Sequence, residues 1–340
     1  MEIKLSIAIP TYNGAQTIRE TLDSIVSQLE DGVEIVVSDN ASTDGTAEIV
    51  QEYSSSYPIK YFRNDRNIGP CRNYELAVER SSGRFIWYFS DDDVIREKAL
   101  SKVLTIISEN EHCGCIVLDC QVYDFTKKCV LLDGLNQAKK SFYVDETENI
   151  FKTPVIDIIG VASTVIFKRE LIKNVDKSSL YNTRHLHIGI VSYISTISKV
   201  FVSDEKIFLF RRCDEGARWM KDSFNLNFHF GYLYGIHFGI KHKTEIKSFV
   251  NRRIITLILF VIQMKLENIA IEKSMFSHLF RNRLKLWTYP YFWLTLPALM
   301  FVYLTPSLVW KLLKMLLTTK KKYLKMRFNE KRGSGKVDAG

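Results

Sequence analysis

The feature that most constrains this chain is an alternation of short apolar runs and amphipathic segments over its first 125 residues. Apolar runs of strand length predict five β-strands, at residues 5–9, 33–37, 59–62, 84–89 and 115–123. The segments between them favour helices, as in the first, where Ile18, Leu22 and Ile25 share one face. Strands and helices that alternate with short connections predict an α/β fold with a mainly parallel sheet covered by helices.

Beyond residue 125 the pattern loosens, with strand-like runs at 161–167 and 207–210. After residue 250 the sequence is apolar and favours helices. We therefore predict a single domain with two halves, residues 1–125 and 126–250, followed by a helical extension at 251–332. Gly333, Ser334 and Gly335 indicate a flexible tail at 333–340.

Polar clusters follow three of the predicted strands at their carboxyl ends. Pro10-Thr11-Tyr12-Asn13-Gly14 follows the first strand, Asp39-Asn40-Ala41-Ser42 the second, and Ser90-Asp91-Asp92-Asp93 the fourth. The carboxyl ends of parallel strands share one edge of the sheet, which is where such sheets bind ligands. The sequence thus predicts that these clusters line one cleft.

The three consecutive carboxylates Asp91, Asp92 and Asp93 repel one another, and a solvated loop is the simplest explanation for such a run. Here the run ends a strongly apolar strand, which favours a cleft position. Mn²⁺ or Mg²⁺ would then balance the charge, because Mg²⁺ prefers oxygen ligands and often binds one or two carboxylates together with substrate phosphates. Asp39 is suited to accept hydrogen bonds from a base or a ribose, or alternatively to serve as a turn or helix-cap residue.

These motifs together resemble glycosyltransferase family 2. The similarity covers residues 6–13, 36–46, 67–73 and 89–93, in the family's order and spacing. It implies a GT-A fold and an inverting transferase that uses a nucleotide diphosphate-sugar, with a UDP- or dTDP-sugar expected. The family's acidic motif usually begins with Asp, whereas this chain has Ser90 at that position.

The resemblance also implies roles for individual residues. Thr11 and Tyr12 would contact the nucleotide, Asp39 would hold the pyrimidine, and Arg72 would lie near the diphosphate. The acidic run matches the family's metal-binding motif. Within it, Asp92 is the first choice as metal ligand, with Asp91 or Asp93 second.

Inverting transfer needs a general base that takes the proton of the acceptor hydroxyl. The family usually provides an acidic pair in its second half, and this chain has none at the expected place. The segment found there contains His185 and His187, whose ordinary pKa near 6.5 suits a base. A structural role for either histidine is the alternative, and acidic residues at 204–205 and 214–215 are further candidates.

Net charge is concentrated at the end of the chain. The whole chain carries +9, and residues 311–332 contain nine Lys or Arg against one acid, Glu330. Before them, residues 286–310 form an uncharged stretch of 25, interrupted by Pro297 and Pro306. Basic residues flank this stretch on both sides, so a single span would export the basic tail against the positive-inside preference. We therefore expect peripheral or monotopic attachment to an anionic membrane surface, with packing on protein or in a homo-oligomer as the alternative.

The start of the chain shows no signal-peptide pattern, and none of the cysteines forms a CxxC pair. Both observations favour a cytoplasmic location, at the cytoplasmic face of the membrane. The favoured acceptor is a glycan or a lipid-linked glycan of the cell surface. A nucleotide-sugar-binding protein without catalysis is the main alternative, because the acidic pair is missing. We expect no nucleic-acid partner, and the lack of a GxGxxG motif disfavours a nicotinamide enzyme.

Overall fold

The computed structural model describes residues 2–148, 150, 153, 155–173, 175 and 186–211, with the isolated positions 297, 300 and 304. The residues described up to 211 belong to one compact unit, and the isolated positions belong to a second one. His185, the basic tail and nearly all of the uncharged stretch lie outside the described residues. In the described part of the chain, no helix is both long enough and apolar enough to cross a membrane.

Ten strands form a single mixed sheet in the described residues. They are β1 (Leu5–Thr11), β2 (Val33–Asp39), β3 (Ile59–Arg63), β4 (Phe85–Tyr88), β5 (Val94–Ile95), β6 (Cys115–Asp124), β7 (Cys129–Leu132), β8 (Phe142–Val144), β9 (Val165–Lys168) and β10 (Val200–Arg211). The helices are α1 (Ile18–Val26), α2 (Thr46–Ser56), α3 (Pro70–Glu79), α4 (Ala99–Glu109), α5 (Val155–Ile158), α6 (Arg169–Ile172) and α7 (Leu186–Ile194).

The first half of the sheet confirms the predicted alternation. Strands β3, β2, β1 and β4 lie side by side in that order, and all pair in parallel. Both β1 and β2 are buried along their whole length, because helices cover the two faces of a parallel sheet. The apolar stripe of α1 packs into this core through Ile18, Leu22 and Ile25.

The second half corrects the expectation of a mainly parallel sheet. β9 lies between β4 and β6 and runs antiparallel to both. β6 still points in the same direction as β4, as a β-α-β unit requires, but the two strands are not neighbours. The inserted strand comes from residues 165–168, where three apolar residues precede Lys168, and such a short run carries no information on strand direction. The short strands β5, β7 and β8 were not predicted from the sequence.

Candidate functional site

The carboxyl ends of β1, β2 and β4 meet at one edge of the sheet, as predicted. Thr11 and Asp39, the last residues of β1 and β2, are register partners. The backbone N–H of Asn40 donates to the carbonyl of Thr11 at 2.9 Å. The hydroxyl of Thr11 donates to Oδ2 of Asp91, which follows β4. Residues 80 positions apart in sequence are thereby joined at this edge, which we call the carboxyl edge.

Asp39 is fully buried at this edge, and donors surround its carboxylate. Its Oδ1 accepts hydrogen bonds from the backbone N–H and the hydroxyl of Ser42, at 2.9 and 2.6 Å. Its Oδ2 accepts a hydrogen bond from the Tyr61 hydroxyl at 2.9 Å and lies 3.5 Å from Nε of Arg63. Burial and this bond to Asp39 raise the pKa of Tyr61 above its ordinary value. Asp39 is therefore a hydrogen-bond acceptor of fixed orientation, with the guanidinium of Arg63 beside it.

Tyr61 and Arg63 were not predicted as site residues, although both lie on the predicted third strand or at its end. They reach Asp39 because β3 pairs in parallel with β2, with Val37 opposite Tyr61 and Asp39 opposite Arg63. A register argument for neighbouring parallel strands was the signal that would have found them.

The three acids after β4 occupy different environments. Asp93 is fully buried, and protein donors use both of its oxygens. The hydroxyl of Ser163 donates to Oδ2 at 2.6 Å, and the backbone N–H of Arg211 donates to Oδ1 at 2.9 Å. Asp91 and Asp92 are only partly buried. The exposed side of the acidic run is therefore formed by Asp91 and Asp92.

Ionisation of this run is unfavourable, because burial removes water from carboxylates that are close together. Burial and the neighbouring Asp92 raise the pKa of Asp91 to about 7, although the Thr11 hydroxyl opposes the shift. Burial and Asp92 likewise raise the pKa of Asp93 well above its usual range. Such shifts are typical of sites that receive a cation or a proton.

Gly14 makes close packing at Asp91 possible. A Cβ atom at this position would lie 2.5 Å from Oδ2 of Asp91 and 2.7 Å from Oγ1 of Thr11. Atoms at these distances overlap, so any side chain at position 14 would displace the carboxylate. Glycine at position 14 thus has a steric reason, which could not be predicted from the sequence.

Arg211, at the end of β10, holds the acidic run from the second half of the chain. Its Nε donates to the carbonyl of Asp92 at 2.7 Å, and its guanidinium forms an ion pair with Glu20 of α1. The guanidinium carbon also lies 3.5 Å from the ring centroid of Phe125. These contacts connect the acidic run with both halves of the unit.

Tyr12 and Arg72 are less buried. Tyr12 exposes 48% of its surface beside Thr11, which leaves its ring open to a ligand. Arg72 lies in the first turn of α3, forms an ion pair with Glu75 and is 3.9 Å from Glu79. Because α3 packs on β1 and β2, Arg72 belongs to the same half of the sheet as Asp39.

His187 is buried on α7, with its ring centroid 6.3 Å from that of Tyr88. Burial lowers its pKa to about 4, while a backbone hydrogen bond with Ile159 acts in the opposite direction. A buried histidine with this pKa is neutral at physiological pH and is a weak base. Its described surroundings, a tyrosine ring and the protein backbone, are those of a packing residue.

The described residues contain no group of three or more His, Cys, Asp or Glu placed to hold a metal ion. The acidic run nevertheless fits a hard divalent cation that takes its remaining ligands from phosphates. Asp91 and Asp92 are partly exposed, and the raised pKa of Asp91 indicates negative charge that the surrounding protein leaves uncompensated. One or two carboxylates plus substrate phosphates are a common ligand set for Mg²⁺.

A family model described as glycosyl transferase family 2 matches residues 6–175, which is half of the chain and includes β1 to β4, α1 to α3 and the acidic run. The chain belongs to glycosyltransferase family 2. The resemblance drawn from its motifs is thus confirmed.

Curated relatives of this family 2 chain include transferases of known donors or acceptors. Abequosyltransferase RfbV of Salmonella typhimurium is 39% identical over 107 residues, which cover 30% of this chain and 32% of the relative. The GalNAc(5)-diNAcBac-PP-undecaprenol β-1,3-glucosyltransferase of Campylobacter jejuni is 34% identical over 108 residues, or 31% of this chain and 35% of the relative. The match spans about a third of each relative.

Among solved structures, the mannosyltransferase PcManGT of Pyrobaculum calidifontis, in complex with GDP-Man and Mn²⁺, superposes with a TM-score of 0.53. The alignment covers 89% of this chain and 86% of the mannosyltransferase, with 17% sequence identity. At this identity the likeness shows a shared fold. The mixed α/β sheet of this family 2 chain is therefore a glycosyltransferase fold.

Proposed function

We propose that this protein transfers a sugar from a nucleotide diphosphate-sugar to a glycan or lipid-linked acceptor, with inversion at the anomeric carbon. The observation that carries the proposal is the meeting of Thr11, Asp39 and Asp91 at the carboxyl edge of a parallel half-sheet. A hydrogen-bond acceptor for a nucleoside and acids for a metal-bound diphosphate therefore lie together at the carboxyl edge. Membership of a family of sugar transferases supports the same reaction.

The nucleoside is proposed to bind between Tyr12 and Asp39. The exposed ring of Tyr12 can stack on a base. The carboxylate of Asp39 is buried under Ser42 and Tyr61, so it would accept a hydrogen bond from the base after one of these two hydroxyls is displaced. Ser42, Tyr61 and Arg63 fix the orientation of that carboxylate and offset the cost of keeping it buried and charged. A uracil or thymine nucleotide remains our preference, and the GDP-Man complex of PcManGT makes guanine the alternative to test.

Asp91 and Asp92 are proposed to hold Mn²⁺ or Mg²⁺ together with the donor diphosphate. When bound, the cation would stabilise the negative charge that develops on the departing diphosphate. Asp93, which was a candidate ligand from the sequence, is better suited to positioning, because Ser163 and Arg211 already occupy its oxygens. Arg72 is proposed to approach the diphosphate from α3.

The general base is proposed to be His185. His187 was the second candidate, and its burial and lowered pKa favour packing against Tyr88 instead. Direct attack by the acceptor hydroxyl on the anomeric carbon breaks the bond to the diphosphate in the same step. The hydroxyl proton passes to the base, and the configuration at carbon is inverted.

The acceptor proposal draws on the relatives. The Campylobacter jejuni enzyme acts on a saccharide carried on PP-undecaprenol, and the Salmonella typhimurium enzyme transfers abequose. A lipid-linked saccharide used for cell-surface polysaccharide is therefore the acceptor to try first. The cytoplasmic face of the membrane is the proposed location, since nucleotide-sugars are made in the cytosol.

Donor turnover tests this proposal. The full chain is incubated with Mn²⁺ and a panel of UDP-, dTDP- and GDP-sugars, and release of nucleoside diphosphate is measured with and without lipid-linked saccharide. We expect release of nucleoside diphosphate with one nucleotide class, and loss of this release in Asp92→Asn. Asp133→Asn should keep it, because Asp133 is an exposed acid that directly follows β7. Tight nucleotide binding without any release would favour a binding protein that lacks catalysis.

A further inference from the structure

A two-stranded hairpin at the carboxyl edge exposes apolar side chains on both of its faces. It consists of the end of β6, the turn at residues 125–128 and β7, and we call it the β6–β7 hairpin. Val130, Leu131 and Leu132 expose 45%, 42% and 50% of their surface. Val130 pairs with Tyr123 and Leu132 pairs with Val122. Because adjacent residues of β6 point to opposite faces, Val130 and Leu132 lie on opposite faces of the hairpin. Contiguous exposed apolar groups mark an interaction surface.

Strand pairing places this hairpin next to the acidic run. β10 pairs along one edge of β6 as far as Tyr123. β9 occupies the other edge but reaches only Val117, and β7 continues on that edge at residues 122–124. Because β9 also pairs with β4, the hairpin extends beyond the carboxyl end of β4. Phe125 in its turn contacts Arg211, which donates to the carbonyl of Asp92.

We propose that the β6–β7 hairpin inserts into the interface of an anionic lipid bilayer. A rigid protein partner would cover one face of a two-stranded ribbon, whereas a fluid interface surrounds both faces. Four strand residues span about 13 Å, comparable to the roughly 5–10 Å to which interfacial segments enter a bilayer. The hairpin therefore has the dimensions of an interfacial anchor.

The charges around the apolar strand fit an anionic surface. Lys127 and Lys128 lie in the turn, and Lys139 and Lys140 follow in the next loop, all exposed. Asp124 is buried and forms an ion pair with Lys127, so Asp133 is the one exposed acid of residues 125–140. Basic residues beside an apolar insertion favour membranes that contain anionic lipids.

This anchor would orient the carboxyl edge towards the bilayer. It differs from the basic carboxyl-terminal tail, which lies outside the described residues, and it does not depend on the transfer reaction. Its effect would be to present the site to groups at the membrane surface. The tail could bind a membrane without imposing this orientation, so the experiment must report on the hairpin itself.

Cys129 gives a direct probe, because it is exposed in β7 while the described cysteines Cys71, Cys113, Cys115 and Cys120 are buried. In a Cys213→Ser background, the full chain is labelled at Cys129 with an environment-sensitive fluorophore. We expect a blue shift with phosphatidylglycerol-containing vesicles, and quenching by lipids that carry a nitroxide in the acyl chain. Phosphatidylcholine vesicles are expected to give a much smaller change.

The control label is placed at Ile197→Cys in a background that carries both Cys129→Ser and Cys213→Ser. Ile197 is 47% exposed but precedes β10, at the opposite edge of the sheet. It should show neither shift nor quenching. A Cys129 label that is unaffected while the protein sediments with vesicles would overturn the proposal, as would absence of any vesicle binding. A shift that instead follows protein concentration without lipid would indicate self-association through β7 and would also overturn it.

Substitution provides a second, label-free readout. The triple variant Val130→Ser, Leu131→Ser, Leu132→Ser should reduce partition into anionic vesicles by at least about tenfold. The substitutions remove the exposed apolar surface whose transfer from water into the bilayer favours binding. Lys128→Gln should reduce it by about fivefold. Ile197→Ser should leave partition unchanged, and equal losses in Ile197→Ser and the triple variant would contradict an orientation set by the hairpin.

Discussion

The two edges of the parallel half-sheet carry two acids, Glu34 and Asp91, whose pKa values are shifted in opposite directions. At the amino edge, Glu34 is 5% exposed and receives hydrogen bonds from Ser6, Lys60 and Ser82 at 2.5 to 2.7 Å. Burial alone would raise its pKa, but these donors outweigh burial and lower the pKa to about 2. At the carboxyl edge, burial and mutual repulsion raise the pKa of Asp91 to about 7.

The difference separates an acid that stabilises the fold from an acid that we propose binds a ligand. Glu34 joins β1, β2 and β3 with the loop before β4, and its charge is fully compensated within the protein. The raised pKa of Asp91 shows no such compensation, so a ligand with positive charge would stabilise its ionised form. A protein that keeps uncompensated charge at one place loses stability there, and it retains a site that is ready to bind.

The largest contrast is expected from Asp92→Asn. Removing one charge from the proposed metal site should lower donor turnover by about a hundredfold or more, because electrostatic stabilisation of the leaving group is lost. The free energy of unfolding should not fall. Turnover assays with Mn²⁺ and urea denaturation of the same preparation check both statements, and a large loss of stability would mean that Asp92 is structural.

The reverse pattern is expected for Glu34→Gln. The variant loses charged hydrogen bonds at a buried position, so the free energy of unfolding should fall by about 2–3 kcal/mol. Donor turnover of the folded protein should stay near that of the wild type. Glu52→Gln is the matched control, because Glu52 also pairs with an arginine, Arg19, but at the surface. The urea midpoint of this control should hardly move.

Proton linkage should also differ in sign between the edges. The folded-state pKa of Glu34 lies below its unfolded value. Its stabilising contribution to the free energy of unfolding is therefore present above about pH 4.5 and is lost as pH falls towards 2. The folded-state pKa of Asp91 lies above its unfolded value. Its stabilising contribution to the free energy of unfolding is therefore present below about pH 4 and is lost as pH rises through 7.

Asp91→Asn tests this sign in the metal-free protein. It should raise the free energy of unfolding at pH 8 by roughly 1–2 kcal/mol and have little effect at pH 4. Denaturant titrations at the two pH values measure the difference. A variant that is less stable than the wild type at pH 8 would contradict the idea that the carboxyl edge holds unfavourable charge.

The smallest effect is expected from Gly14→Ala. The new methyl group would overlap the carboxylate of Asp91, so we expect about a tenfold loss of turnover from displacement of that carboxylate. Gly45→Ala is a suitable control, since a Cβ there meets nothing closer than Ala15 at 3.9 Å. Equal activities of the two variants would show that the position of Asp91 does not matter for turnover.

The half-sheet could be predicted from sequence because its strands are apolar runs separated by amphipathic helices. The positions of Thr11, Asp39 and Asp91 at one edge followed from strand direction alone. The partners of Asp39 and Asp93 could not be predicted in this way. Ser163 and Arg211 reach Asp93 through β9 and β10, whose order in the sheet depends on tertiary packing rather than on local periodicity.

The different environments of three consecutive acids were also beyond the sequence. Asp91, Asp92 and Asp93 look equivalent as residues, and only the inserted strand and the end of β10 make Asp93 an interior residue. His187 illustrates the same limit, since its place in the segment expected to supply the base suggested that role, whereas its burial on α7 suggests packing. In these cases the residue type suggests several roles, and burial and neighbouring groups indicate which of them is possible.

Nucleotide binding tests the central claim most directly. Calorimetric titration of the full chain with UDP, dTDP and GDP, with and without Mn²⁺, measures whether the carboxyl edge holds a metal-bound diphosphate. The account predicts that one of these nucleotides binds at least tenfold more tightly with Mn²⁺, and that Asp92→Asn removes this gain while Glu34→Gln keeps it. Equal affinity with and without Mn²⁺ in the wild type, or a gain that persists in Asp92→Asn, would contradict it.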